Sequence, residues 1–248
     1  MLSMIKNIIM NGSATEKKAC AKNFMETAYA PLLRLDEKKC AACRDKKCVK
    51  LCPTGAIYVS GEKGAAVKAD HLKCIECRMC EDNCQSGAVS FADFGIGTAE
   101  FKALSDKLEK EIKGVFSRSL HIRQLDVGSC NGCDHEMISV CNPVFDISRF
   151  GIDFVASPRH ADCLLVTGPV SWNLKESLIR TIEATPDPKI IVAMGACASS
   201  GAPFGKSYAS FGGVDKVSPV DVFIPGCPPH PYAIIEGLLR AVRMIGKK

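Results

Sequence analysis

The chain has 248 residues, 15 of them cysteine, with 47% hydrophobic residues and a formal net charge of +5. That length suits one or two domains with a buried core. The composition argues against a disulfide-stapled secreted scaffold, because such scaffolds are short and Met1 to Met10 is too brief and interrupted for a signal segment.

A basic balance can signal nucleic-acid binding, but here Lys and Arg are scattered, apart from Lys38-Lys39 and Lys46-Lys47 beside cysteines. No nucleic-acid partner is expected. Apolar runs such as Cys163 to Val166 and Ile190 to Met194 are strand-length, far below the roughly 20 residues that span a bilayer. The expectation is a soluble or peripheral protein of a reducing compartment, placed in the cytoplasm. No Gly-x-Gly-x-x-Gly or Gly-x4-Gly-Lys-Ser/Thr phosphate loop is present, so no NAD, flavin or ATP site is legible.

In chain order, residues 1–34 read as an arm with one helix around Glu16 to Tyr29. Residues 35–96 form a cysteine-rich domain. Residues 97–117 place Phe101, Leu104, Leu108, Ile112 and Val115 at helical spacing among charges, which predicts an amphipathic linker helix. From 118 to 248 the pattern changes to short apolar, strand-like runs at Leu120–Val127, Ile152–Ala156, Cys163–Thr167, Ile190–Met194 and Val220–Ile224. Runs of this kind, separated by helices, predict a parallel sheet covered on both faces, and Tyr232–Ile245 reads as a closing helix. The fold class expected is an α+β ferredoxin-like domain followed by an α/β flavodoxin-like domain.

The cysteine-rich domain carries two runs. One is Cys40-x2-Cys43-x4-Cys48-x3-Cys52-Pro53 and the other Cys74-x2-Cys77-x2-Cys80-x3-Cys84. The second has bacterial-ferredoxin spacing, in which three cysteines wrap one iron–sulfur cube and the fourth reaches the other cube. That predicts a 4Fe-4S cluster on Cys40, Cys43, Cys48 and Cys84, and another on Cys52, Cys74, Cys77 and Cys80. The fourth cysteine of each run is expected to begin a helix. Cys52-Pro53-Thr54-Gly55-Ala56-Ile57 repeats as Cys84-Gln85-Ser86-Gly87-Ala88-Val89, consistent with two pseudo-symmetric halves. Structural zinc also uses Cys-x2-Cys pairs but fits two repeated quartets poorly. The two extra residues in the first run leave a 3Fe or altered first site open. Over residues 35–95 the chain resembles two-cluster bacterial ferredoxins.

Four more cysteines stand in loops after expected strands: Cys130 and Cys133 in Gly128-Ser129-Cys130-Asn131-Gly132-Cys133, Cys197 in Met194-Gly195-Ala196-Cys197, and Cys227 in Pro225-Gly226-Cys227-Pro228-Pro229. Loops at the carboxyl ends of parallel strands converge on one edge, so these four are expected to hold a third 4Fe-4S cluster. Cys141, Cys163 and Cys20 read as buried structural thiols. Glu136 reads either as a proton relay or partner contact, or as a helix-capping charge. Arg159 and His160 read either as neighbours that tune a cluster or as a solvated loop pair. His230, just after Cys227-Pro228-Pro229, reads either as a cap of the last helix or as a neighbour of the cluster.

Residues 118–245 resemble the small subunit of energy-converting, membrane-bound NiFe hydrogenases, a family that shares ancestry with the cluster-bearing B subunit of respiratory complex I. The resemblance lies in Cys130-Asn131-Gly132-Cys133-Asp134-His135-Glu136, Ser157 to Asp162, Pro186 to Lys189, Met194 to Cys197, and Val220 to Pro229. It implies that Cys130, Cys133, Cys197 and Cys227 hold the cluster facing a partner's active site. Cys130-x2-Cys133 is the hydrogenase spacing, where complex I subunits carry two adjacent cysteines.

The implied function is an electron-transfer subunit that relays electrons through three 4Fe-4S clusters. The relay runs between a ferredoxin-type donor and the NiFe site of a hydrogenase large subunit. Further subunits, some in the membrane, would hold the chain peripherally on the cytoplasmic face. The alternative is a cluster-bearing subunit of a nickel-free, complex I-like quinone or sulfur oxidoreductase.

Overall fold

The computed structural model describes residues 32–60, 66–92 and 119–245. The helix expected around Glu16–Tyr29, the thiol of Cys20 and the linker helix expected at 97–117 lie outside the described residues.

The C-terminal part is a five-stranded parallel sheet. Its strands are β5 (Leu120–Asp126), β6 (Ile152–Phe154), β7 (Cys163–Thr167), β8 (Ile190–Met194) and β9 (Val222–Ile224), in the order β6-β5-β7-β8-β9. Counting within this sheet, that is the 2-1-3-4-5 order of flavodoxin-like folds. Every residue of β7 and β8 is buried, which is why both read as unbroken apolar runs. Successive side chains feed opposite layers. Leu165, Ile190, Val192 and Met194 pack with Tyr232, Ile235, Leu238 and Val242 of the closing helix α7 (Pro231–Ile245). Val166, Ile191 and Ala193 pack with Leu178 of α5 (Lys175–Ala184) on the other face. His230 caps α7 as expected, its Nδ1 accepting a hydrogen bond from Tyr232 N at 3.3 Å.

The N-terminal part has four short strands in two antiparallel pairs. β1 (Leu32–Leu35) pairs with β4 (Val89–Ala92), and β2 (Ile57–Ser60) pairs with β3 (Ala66–Ala69). Three short helices, α1 (Glu37–Ala42), α2 (Lys47–Leu51) and α3 (Met79–Asp82), carry Cys40, Cys48 and Cys80. Its apolar core is small and consists in part of those cysteines, joined by Leu33, Ile57, Val67, Ala88 and Val89. Two-stranded ladders are marginal alone, so a core of this size calls for covalent or metal cross-linking.

Three expectations are corrected. β1 begins at Leu32, inside what the sequence read as an arm. Cys52 and Cys84 do not begin helices. Cys52 is the C-cap of α2, with extended φ −70° and ψ 112°, because the following Pro53 disfavours the helical region for the residue before it. Cys84 follows the C-cap Asn83 of α3. Finally, Cys141 is exposed rather than core: it lies just past α4 (Gly132–Ser139), its thiol 3.8 Å from the Met137 carbonyl. Cys163, by contrast, is wholly buried in β7, as read.

Candidate metal centre

The loop after β5 is held by carboxylates. Asp126 Oδ1 accepts hydrogen bonds from Gly128 N (2.8 Å) and Ser129 N (2.6 Å), the Asx-type turn that a strand-ending Asp before Gly-Ser forms. Asp134, in the first turn of α4, accepts from Gln124 Nε2 at 2.6 Å, Ser129 Oγ at 2.6 Å and Thr167 Oγ1 at 3.1 Å. Gly168 packs beneath this loop, where a Cβ would stand 2.5 Å from Ser129 N. This network fixes the loop that carries Cys130 and Cys133.

The other two loops close onto it. Ala196 N donates to Gly226 O at 2.8 Å, tying the short helix α6 (Gly195–Ser200), which follows β8 directly and carries Cys197, to the loop after β9. Cys133 Sγ lies 3.8 Å from Met194 O. Gly195 has φ +89°, and a Cβ there would stand 2.6 Å from Cys133 Sγ, so the sulfur occupies the space of a side chain. Cys133 and Cys197 are buried, whereas Cys130 and Cys227 are exposed. The quartet therefore has an inner pair and a rim pair.

The four thiols feel one another. Burial pushes Cys133 up to about 12, and the charges of Cys197, Cys227, Asp134 and Cys130 add to it. Burial, then Cys227 and Cys130, pushes Cys197 up to about 11. Ionising the buried pair Cys133 and Cys197 beside other thiolates requires a compensating positive charge, which a metal core would supply.

In the N-terminal part the chain crosses over. Cys52, Cys74, Cys77 and Cys80 line one cavity with Thr54, Ile57 and Phe91. Cys43, Cys48 and Cys84 line another, and the Cys40 thiol is pushed up by burial and then by Cys48, Cys84 and Cys43. Burial also pushes Cys80 up to about 12, with Cys74 and Cys77 adding. The crossing residues Cys52 and Cys84 behave differently. Burial pulls them upward too, but hydrogen bonds from the following turn outweigh it and hold both thiols low. Ala88 N donates to Cys84 Sγ at 3.2 Å, and Ser86 and Thr54 hydroxyls lie 3.5 and 3.7 Å from Cys84 and Cys52. The repeated turn works the same way in both halves, with Gly55 at φ +64° and Gly87 at φ +57°.

A local device occurs in all three loops. Lys46, Arg78 and Asn131 each have positive φ (46°, 58° and 66°), each two residues before a buried cysteine, Cys48, Cys80 and Cys133. That conformation costs a non-glycine residue about 1–2 kcal/mol. Such turns arrange successive N–H groups around an anion, which fits a cluster with anionic thiolate ligands. Among the described residues no group of three or more His, Cys, Asp or Glu side chains closes on a single ion.

The second run also meets the C-terminal quartet. Ser200 Oγ donates to Leu72 O at 3.0 Å, and Glu76, between Cys74 and Cys77, is among the charges that raise Cys227. Burial raises the Glu76 carboxyl to about 7 against the pull of Arg78. Sequence reasoning missed Asp126, Asp134 and Glu76. Only the Asp126-Val127-Gly128-Ser129 turn left a readable signal. Glu136 lies beyond the first turn of α4, where the acidic residue is Asp134, and no side chain caps that helix. Arg159 and His160 are exposed on the short 3-10 turn after β6.

The sequence family described as NADH ubiquinone oxidoreductase, 20 kDa subunit, matches residues 130–241. The match begins at Cys130 and encloses Cys133, Cys197 and Cys227, and the eight cysteines of the two N-terminal runs lie outside it. A probable membrane-bound hydrogenase subunit of Pyrococcus furiosus is 46% identical over 144 residues, covering 57% of this chain and 86% of the relative. Formate hydrogenlyase subunit 7 of Escherichia coli is 44% identical over 146 residues, covering 59% of this chain and 56% of the relative. An NADH-quinone oxidoreductase subunit of Heliobacterium modesticaldum is 47% identical over 109 residues, covering 44% and 62%. The chain thus spans little more than half the length of the last two.

Proposed function

Since the chain belongs to the NADH ubiquinone oxidoreductase 20 kDa subunit family and is an oxidoreductase subunit, we propose that it relays electrons to the NiFe site of a hydrogenase large subunit. Three 4Fe-4S clusters would carry them, on Cys40, Cys43, Cys48 and Cys84, on Cys52, Cys74, Cys77 and Cys80, and on Cys130, Cys133, Cys197 and Cys227. Residues 35–96 form the two-cluster, ferredoxin-like domain of this reading. When bound, each cluster supplies reversible one-electron oxidation and reduction.

The observation that carries the reading is the meeting of Cys130, Cys133, Cys197 and Cys227 from three loops at one sheet edge, with the Cys74–Cys80 run docked beside it. The chain's residues hold the thiolates, exclude water from the inner pair and fix the order of the sites. Cys130 and Cys227 lie on the open side, where a partner's active site would approach. Ile138, Phe204 and Tyr208, on segments following Cys133 and Cys197, are 63%, 60% and 99% exposed. A ferredoxin-type donor feeds the N-terminal end. No described helix is long and apolar enough to cross a membrane, so further subunits provide the membrane attachment in this reading.

Anaerobic purification of the native complex through a tag on this chain tests the partner. Nickel should co-purify in a large subunit. A complex that lacks nickel would instead support the quinone- or sulfur-reducing reading, and a lone chain would leave only a carrier.

A further inference from the structure

The two N-terminal sites differ in their surroundings. Across residues 36–50, around the first run, six cationic side chains (Lys38, Lys39, Arg44, Lys46, Lys47 and Lys50) face three carboxylates (Asp36, Glu37 and Asp45), a net +3. Across residues 70–84, around the second run, Lys73 and Arg78 face Asp70, Glu76, Glu81 and Asp82, a net −2. Lys73 pairs with Asp70 at 3.3 Å and Arg78 with Glu81 at 3.7 Å, so the second run has no cationic surplus.

The surplus on the first run is at the surface. Lys38, Lys39, Arg44, Lys47 and Lys50 are exposed, and Lys47 lines the cavity that holds Cys43, Cys48 and Cys84. Ala41, Ala42 and Leu51 are exposed among them, giving small apolar contacts inside a cationic rim. The second run instead faces the C-terminal quartet through Leu72–Ser200 and Glu76–Cys227. One N-terminal site is thus turned inward and the other outward.

We infer that the lysine-rich surface of residues 36–50 is the docking face for a small acidic electron-carrier protein, which exchanges its electron at the Cys40–Cys43–Cys48–Cys84 site. The inference rests on the relay proposed above and adds its entry point and order. One electron leaves the reduced carrier, which is oxidised, and the first-run site is reduced by one. The same electron then passes to the Cys52–Cys74–Cys77–Cys80 site and on to the Cys130–Cys133–Cys197–Cys227 site. No bond forms or breaks and no proton is required. Complementary charge would both steer the carrier and orient it, and salt would weaken the encounter.

The test uses the purified native complex and an oxidised, acidic two-cluster bacterial ferredoxin as probe, with binding measured by titration calorimetry. Binding should weaken when salt is raised to about 0.5 M, where screening leaves only a few ångströms of reach. The triple variant Lys38→Glu, Arg44→Glu, Lys50→Glu should raise Kd about tenfold or more. The neutral triple Lys38→Gln, Arg44→Gln, Lys50→Gln should fall between the two. Iron content checks that each variant is intact. Reversal of two remote cations, Lys206→Glu and Lys216→Glu, should leave Kd unchanged. A salt-insensitive Kd, an unchanged Kd in both triples, or an equal loss in the remote variant would overturn the docking face. None of these readouts depends on nickel, so failure of the hydrogenase reading would be seen separately.

Discussion

Replacing Cys197 with alanine is expected to stop electron flow between a ferredoxin donor and the partner's active site. Cys197 belongs to the inner, buried pair of its quartet, and no other described thiol of that loop can take its place. Loss of a ligand exceeds the 10- to 100-fold cost usual for outer-shell changes, so donor-driven turnover should fall by more than about 100-fold. The N-terminal sites should stay assembled, because they draw only on cysteines between 40 and 84. Loss of the group could also loosen the partner interface, so co-purification of the large subunit comes first. The readout is hydrogen evolution from reduced ferredoxin by an intact, nickel-containing variant complex. Turnover at the wild-type rate would mean that electrons bypass this site.

The paired variants Cys52→Ser and Cys84→Ser should disturb opposite sites. Cys52 shares its cavity with Cys74, Cys77 and Cys80, and Cys84 shares its own with Cys43 and Cys48. Each sulfur is also held low by hydrogen bonds, from Thr54 and the Ile57 amide for Cys52 and from Ser86 and the Ala88 amide for Cys84. Serine keeps the hydroxyl-sized contact but is a poorer, harder ligand for iron. Paramagnetic resonance of the reduced variants should therefore show Cys52→Ser altering the second-run signal and Cys84→Ser the first-run signal. If both variants altered one and the same signal, the chain would not cross over.

The parallel sheet was legible because its central strands are buried on both faces. β7 and β8 occupy the residues that the apolar runs of Cys163–Thr167 and Ile190–Met194 predict. The edge strands are shorter than their runs. Only Ile152–Phe154 and Val222–Ile224 find a neighbour, since each edge pairs on one side alone. The cysteines that line each N-terminal cavity follow the spacing of the two runs, because a short loop limits how far apart its side chains can lie. The surroundings of those cysteines were not. The capping of Cys52 and Cys84 depends on a turn whose geometry Pro53, Gly55 and Gly87 set after the helix has ended. Cys141 sits just past the described periodicity of α4, where no pattern separates core from surface. The junction between the halves leaves no local mark, since Ser200 and Leu72 are 128 positions apart. Glu76 bears on Cys227 only through that docking.

Iron and acid-labile sulfide in the anaerobically purified native chain, with zinc measured in the same sample, test the central claim of three clusters. Three occupied quartets predict about twelve iron and twelve sulfide per chain. About eight of each would mean that one quartet holds no cluster, and stoichiometric zinc in place of iron would contradict the relay as a whole.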